Sequence, residues 1–306
     1  MAAHRDVGGL GAGIGDGVVT DAGDLAGDLR SLLTLERLDR DLFRGRNANY
    51  GPRQSLYGGQ VAAQCLLAAA ATVEADRLPH SLHGYFLRPG RSDIPVVLQV
   101  DRDRDGRSFS ARHVVAVQEG EVIFSMVTSF HARREGGVFD DAPRREVPPP
   151  EDMTKSGWIP LLEVREVTPT DFTRGVFTDC LWVRSAGSLG EEPLLHRAGL
   201  TYLSDLGSGF GQQAALIGRG GPSIDHSMWF QADIRADDWV LVDLRPVKAV
   251  GGRGTYHGSL RDRRGVLGAT VYQEHLLLPG SFADAPKEVR EALAEMQAHD
   301  EQLRRS

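Results

Sequence analysis

The chain has 306 residues, 41% of them apolar and 25% charged, the balance of a soluble globular protein of about two domains. Its net charge of −7 argues against a general nucleic-acid binder, which would be basic. No apolar run reaches about 18 residues, so no membrane span is expected. The N-terminus lacks the apolar core of a signal peptide, and the closing "LRRS" is no peroxisomal tripeptide, so a cytoplasmic setting is expected. Cys65 and Cys180 are far apart, lack metal-ligand spacing, and read as reduced, buried thiols.

Residues 1–27 hold eight glycines and four aspartates and few large apolar side chains. Such a segment cannot offset its ordering entropy by burial and is expected as a flexible arm. The stretch "GLGAGIGDG" within it resembles a nucleotide loop only superficially, because no strand precedes it and no clear helix follows. Residues 28–140 form a first unit. In it "YGGQVAAQCLLAAAATVEA" predicts a helix opened by glycines, with Val61, Cys65, Ala69 and Val73 on one stripe. "SLHGYFLRPG" and "PVVLQVDRD" follow, then the strands "SFSARHVVAVQ" and "EVIFSMVTSFH", joined at "QEGE" as a hairpin. Three consecutive prolines in "EVPPPEDM" disfavour both helix and central strand, so 141–170 is expected as a linker.

Residues 171–280 repeat the order of the first unit. A helical stretch lies within 193–218, two strands within "SIDHSMWFQADIRADDWVLVDLRPVKAV", and a hairpin turns at "RDRRG". His83 to Arg107 spans 24 positions and His226 to Arg253 spans 27, near-equal offsets that duplication predicts. Residues 281–306 form a C-terminal helix starting near Pro286, with Val289, Leu293 and Met296 at helical spacing. A helix followed by antiparallel strands, taken twice, predicts an α+β fold. In it each small-residue helix is wrapped by its own sheet and the sheets join edge to edge, as two hotdog repeats making one double hotdog.

The phrases "LFRG", "YGGQVAAQ", "HSLHGYFLRPG", "DGRSFSARHVVAVQ", "YLSDLG", "IDHSMWF" and "VYQEH" together resemble the acyl-CoA thioesterase II family across roughly 35–280. The resemblance implies a double hotdog fold and hydrolysis of acyl-CoA to a free fatty acid and coenzyme A. It implies no metal, no organic cofactor, and pairing of double hotdogs into homo-oligomers. By the same resemblance the catalytic Asp is Asp205, the hydroxyl residue is Ser223 (Thr in some relatives) and the catalytic amide is Gln273. The first half has no equivalent set.

Thioester hydrolysis needs a positioned water, a proton acceptor and donors for the developing oxyanion. Asp205 suits the acceptor, and partial burial would raise its pKa from about 3.9. Ser223 and Gln273 suit the holding of the water through a hydroxyl and an amide. Strict alternation puts Ser223, Asp225, Ser227 and Trp229 on one face and His226 on the other, so no Ser–His nucleophile is expected. His83 and His226 read as structural, and Asp225 as a strand-end cap or a support to the site. Gly58 and Gly59 either supply oxyanion amides at a helix N-terminus or form a tight turn for packing. Arg88 and Arg107 either reach the phosphates of coenzyme A or sit on the surface in ion pairs. Leu56, Tyr57 and Phe86 line an acyl slot or belong to the core. The alternatives to a thioesterase are an enoyl-CoA hydratase of the same fold and a non-catalytic acyl-CoA-binding protein. Thiol release from acyl-CoAs separates all three.

Overall fold

The structure, a computed structural model, describes residues 28–48, 55–213 and 217–305. The arm expected over 1–27 lies outside the described residues. A short helix α1 (Leu29–Leu33), capped by the Asp28 side chain, leads into strands β1 (Glu36–Asp39) and β2 (Leu42–Gly45). Helix α2 (Gly58–Ala70) follows, then β3 (Arg77–Phe86), β4 (Val96–Asp105), β5 (Phe109–Gln118) and β6 (Glu121–Ala132). Period-two patterning makes β5 a strand: Ser110, Arg112, Val114, Ala116 and Gln118 are buried while the intervening residues are not. The β5–β6 hairpin turns on Glu119 and Gly120, both at positive φ (49° and 83°), the conformation a two-residue turn of type I′ requires.

The second half supplies β7 (Lys155–Ser156), β8 (Leu162–Glu166), β9 (Cys180–Ser185) and helix α3 (Pro193–Leu203). It continues with β10 (Arg219–Ser223), β11 (Asp225–Phe230), β12 (Val240–Val250), β13 (Arg253–Asp262) and β14 (Leu267–Leu278). Helix α4 (Lys287–Arg305) closes the described chain. The segment 141–170, expected as a linker, carries β7 and β8, which extend the second sheet beyond β9. "LEVRE" is short, but Leu162 and Val164 alternate into the core, and that suffices to pair it.

The fourteen strands among the described residues belong to one antiparallel sheet. From its centre the first half runs β3, β6, β5, β4, β2, and the second runs β11, β14, β13, β12, β9. The matching order is the mark of a repeated unit. The halves meet where β3 pairs with β11, from Asp225 opposite Tyr85 to Trp229 opposite Ser81. This closes one edge of each sheet. Together with the wrapped helices it makes the molecule a double hotdog. His83 and His226, matched by sequence spacing, are not equivalent here. His83 pairs with Ser227 and is exposed, whereas His226 pairs with Gly84 and is fully buried.

Helix α2 is buried around nearly its whole circumference, not along one stripe. Ala62, Ala63, Ala68 and Ala69 keep its girth small enough for that. Its two buried amides face backbone carbonyls of α1 and the segment after β2: Gln64 Nε2 donates to Leu32 and Arg46, and Gln60 Nε2 to Arg46. Glycine is needed at position 84, where a Cβ would strike the Phe124 ring across the strand pair β3–β6. Gly84→Ala is therefore expected to lower the urea midpoint, by an amount equivalent to about 1–3 kcal/mol, as overpacking does. An unchanged midpoint in a denaturant titration would show that the repeat junction tolerates the extra methyl.

Candidate active site

Three elements from the second half and one from the first converge at the junction of the repeats. Helix α3 ends at Leu203, and two residues later Asp205 projects towards the N-terminus of α2. Tyr57, the residue that precedes α2, donates its hydroxyl to the Tyr202 carbonyl at 2.8 Å. The N-terminus of α2 thus meets the C-terminus of α3, opposite ends of two helix dipoles. The Gly59 amide is directed at the Asp205 carboxylate. A Cβ at Gly58 would lie 2.6 Å from Asp205 Oδ2, and one at Gly59 would lie 2.6 Å from the Tyr202 carbonyl oxygen. Both glycines lie where the halves touch. The Gly59 N–H, expected as an oxyanion donor, is engaged by Asp205 instead.

Gln273, fully buried in β14, links the remaining groups. Its Nε2 donates to Asp205 Oδ1 at 3.0 Å and to Ser223 Oγ at 2.5 Å. The three residues expected at the site, dispersed along the sequence, are in one hydrogen-bonded cluster. The amide nitrogen faces two oxygens, so the amide oxygen faces His226 Nδ1, 2.6 Å away. That nitrogen must carry a proton, since an amide oxygen only accepts. His226 Nε2 in turn lies 2.8 Å from Ser204 Oγ. Because Gln273 spends both amide hydrogens, the Ser223 hydroxyl is left with its own proton to donate elsewhere.

Ser204 was missed by sequence reasoning, and His226, read there as structural, packs directly against the cluster. Strict alternation sends His226 away from Ser223, but the strand is not regular. Ser223 pairs with His275, and Ser227 pairs with Tyr272, so four steps on one strand match three on the other. This β-bulge at Ile224 and Asp225 returns Ser223 and His226 to the same face. Asp225 caps the irregularity, accepting the Glu274 backbone N–H at 2.7 Å. Of the two roles open for it, the strand-end role is the one its contacts match.

Burial is the largest influence on the Asp205 carboxyl and raises its pKa above the ordinary aspartate range. The nearby His226 and the hydrogen bonds from Gln273 and Gly59 act in the opposite sense. Arg88, just beyond β3, pairs on the surface with Glu121 at 2.8 Å and donates to the Val122 carbonyl. Arg107 is exposed at the β4–β5 turn. It sits near Phe109, which pairs with His131, itself opposite Leu78 at the start of β3. The cluster lies at the other end of β3, roughly 25 Å of strand away. Tyr57 and Phe86 are tied into the core, Tyr57 against Tyr202 and Phe86 against Phe124.

Residues 47–131 match the model of the acyl-CoA thioesterase N-terminal domain, and residues 139–277 match that of its C-terminal domain. The chain belongs to the acyl-CoA thioesterase family. It is 37% identical to acyl-coenzyme A thioesterase 8 of Mus musculus over 308 residues, covering 88% of this chain and 95% of the relative. It is 31% identical to acyl-CoA thioesterase 2 of Haemophilus influenzae, covering 83% and 98%. Among solved structures, acyl-CoA thioesterase II TesB2 from Mycobacterium marinum superposes with a TM-score of 0.69 at 36% identity, covering 82% of this chain and 96% of that one. A hot dog fold protein from Alicyclobacillus acidocaldarius, at 23% identity and a TM-score of 0.67, shares the fold. In the family's terms the enzyme is a thioester hydrolase.

Replacing His226 by Ala removes the donor that orients Gln273 and leaves a buried amide oxygen unpaired, a loss of about 1–3 kcal/mol. The expected result is a lower melting temperature and a kcat reduced by at least tenfold, with a smaller change in KM. Unaltered kcat in steady-state kinetics would show that the Gln273 amide holds its orientation without the imidazole.

Proposed function

We propose that this chain hydrolyses acyl-CoA thioesters with Asp205 as general base and Ser223 holding the attacking water, while Gln273 fixes both through its two amide hydrogens. The observation that carries the reading is the convergence of a carboxylate, a hydroxyl and an amide on one another at the repeat junction. Water bound there gives its proton to Asp205 as its oxygen attacks the thioester carbonyl carbon. The C–S bond then breaks, and the departing sulfur takes the proton that Asp205 accepted, so coenzyme A leaves as the thiol, the acid is the second product and the carboxylate is restored. The Ser223 proton, unused within the cluster, is available to the water oxygen. The Gly58 amide at the positive end of α2 is the remaining glycine candidate for the oxyanion. Arg88 is the arginine we assign to the phosphates of coenzyme A. Its surface pair with Glu121 is of a kind worth little and is readily exchanged for a phosphate.

A cytoplasmic setting and self-association complete the proposal. Both cysteines are buried free thiols, which fits a reducing compartment. No helix among the described residues is long and apolar enough to cross a membrane. On the outer face of the central strands Tyr85, Val127, Trp229 and Tyr272 are exposed, a face suited to a second copy. Light scattering on the purified chain is expected to give a mass above that of one protomer.

Thiol release measured across acetyl- to palmitoyl-CoA tests the reaction itself. Asp205→Asn is expected to abolish release while the protein stays folded, and normal turnover in that variant would remove the base. A base acts when deprotonated, so kcat/KM should rise with pH through an apparent pKa above the usual aspartate value of about 3.9 and then level off. The linkage sign follows from the same raised pKa. Between the unfolded and folded pKa values the native state binds more protons, so this carboxylate costs stability as pH rises through that window. Asp205→Asn should therefore melt no lower than the parent at pH 7, a point calorimetry can check.

A further inference from the structure

Both family domains end before α4: the second matches through residue 277, and α4 begins at Lys287. Between α4 and Ser223 lies a cavity of ≈ 570 Å³. Ser223 stands at one side of it, and the body of the protein contributes Phe177, Tyr256, Leu278 and Phe282. Helix α4 completes the wall with Val289 and Leu293. We propose that this cavity receives the acyl chain of the thioester, and that α4, an element outside the family domains, sets the chain length accepted. The proposal rests on the thioesterase role of Ser223 given above.

The side of the wall made by Pro286, Val289 and Leu293 suits a hydrocarbon, while the body of the protein adds the polar side chains of Ser208, Arg219, Ser223 and His275. Arg219, the one charged residue in the lining, is half-buried and lies beside Asp284. His275 is buried, and burial pushes its pKa down to about 4, so it is neutral near pH 7. The pantetheine arm of coenzyme A carries two amides, which the Val289 and Leu293 face of α4 leaves unpaired. An alkyl chain has no such need, and each buried methylene adds about 0.8 kcal/mol.

The wall is also held in place. Leu293 packs with Phe172 and Phe282, and Val289 and Met296 border the same cluster. Further along the helix the attachments are polar. Gln297 Oε1 accepts the Phe172 N–H at 3.0 Å, and Asp300 accepts the Gly157 N–H at 2.8 Å. Arg304 donates to Asp300 and to the buried Glu166, each at 2.6 Å. The C-terminal half of α4 thus anchors it to the second repeat, while the N-terminal half presents Val289 and Leu293 to the cavity.

The test uses the full chain with Val289 enlarged. Val289 is half-buried, so a bulkier side chain extends into the cavity without entering the packed core. For Val289→Trp, kcat/KM on the longest acyl-CoA that the parent turns over should fall at least tenfold, while that on acetyl-CoA stays within twofold. Val289→Phe should give the same pattern to a lesser degree, which covers a Trp variant that folds poorly. The matching fatty acid should raise the melting temperature of the parent and not that of Val289→Trp, a readout independent of turnover. An equal fall at every chain length would assign the cavity to the coenzyme arm or to structure. No change at any length would leave α4 without a part in specificity. Either result overturns the proposal. A parent that releases thiol from no acyl-CoA, yet is stabilised by fatty acid, would sink the thioesterase reading and spare the cavity.

Discussion

The approach of α2 to α3 is the contact on which the site depends. The amide end of one helix faces the carbonyl end of the other, and Asp205 lies in the gap. Only residues without a side chain fit at positions 58 and 59, because the opposing carboxylate and carbonyl occupy the space a Cβ would need. An isolated carboxylate buried there would be costly, and the Gly59 and Gln273 donors offset part of that cost. What remains uncompensated keeps the group basic enough for proton transfer. Packing of the repeats and chemistry of the site are therefore one arrangement, and neither repeat alone contains it.

Much of the fold was legible in the sequence because it follows from simple periodicities. The alternation in "FSARHVVAVQ", the small residues of "GGQVAAQCLLAAA" and the two-residue turn in "QEGE" each dictate a local structure that the fold retains. The residues Asp205, Ser223 and Gln273 were reached through the resemblance, since nothing local to any of them announces a partner far along the chain. Strands β7 and β8 were missed because two- and five-residue strands carry too little alternation to stand out from a proline-rich connection.

The errors at the site have a common cause. Face assignments made by counting residues hold only while the strand is regular. The bulge at Ile224 and Asp225 adds a residue to one strand, and a count that ignores it puts Ser223 on the face opposite His226. The same reasoning misaligned His83 with His226, one facing solvent and the other the helix. Arg107 lies apart for a different reason. Sequence proximity to a motif says nothing about which end of a sheet a turn occupies, and its turn is at the end remote from Asp205.

The bulge has a further consequence for how such a strand can change over time. Point substitutions at Ile224 would leave the phase of the strand untouched, so the site can absorb them. Loss of a single codon there would restore regular pairing and rotate Ser223 to the outer face while the hydrophobic pattern of β11 stayed intact. The segment is thus far more sensitive to length than to composition, and a lineage that lost this one residue would keep a folded protein and forfeit its alcohol.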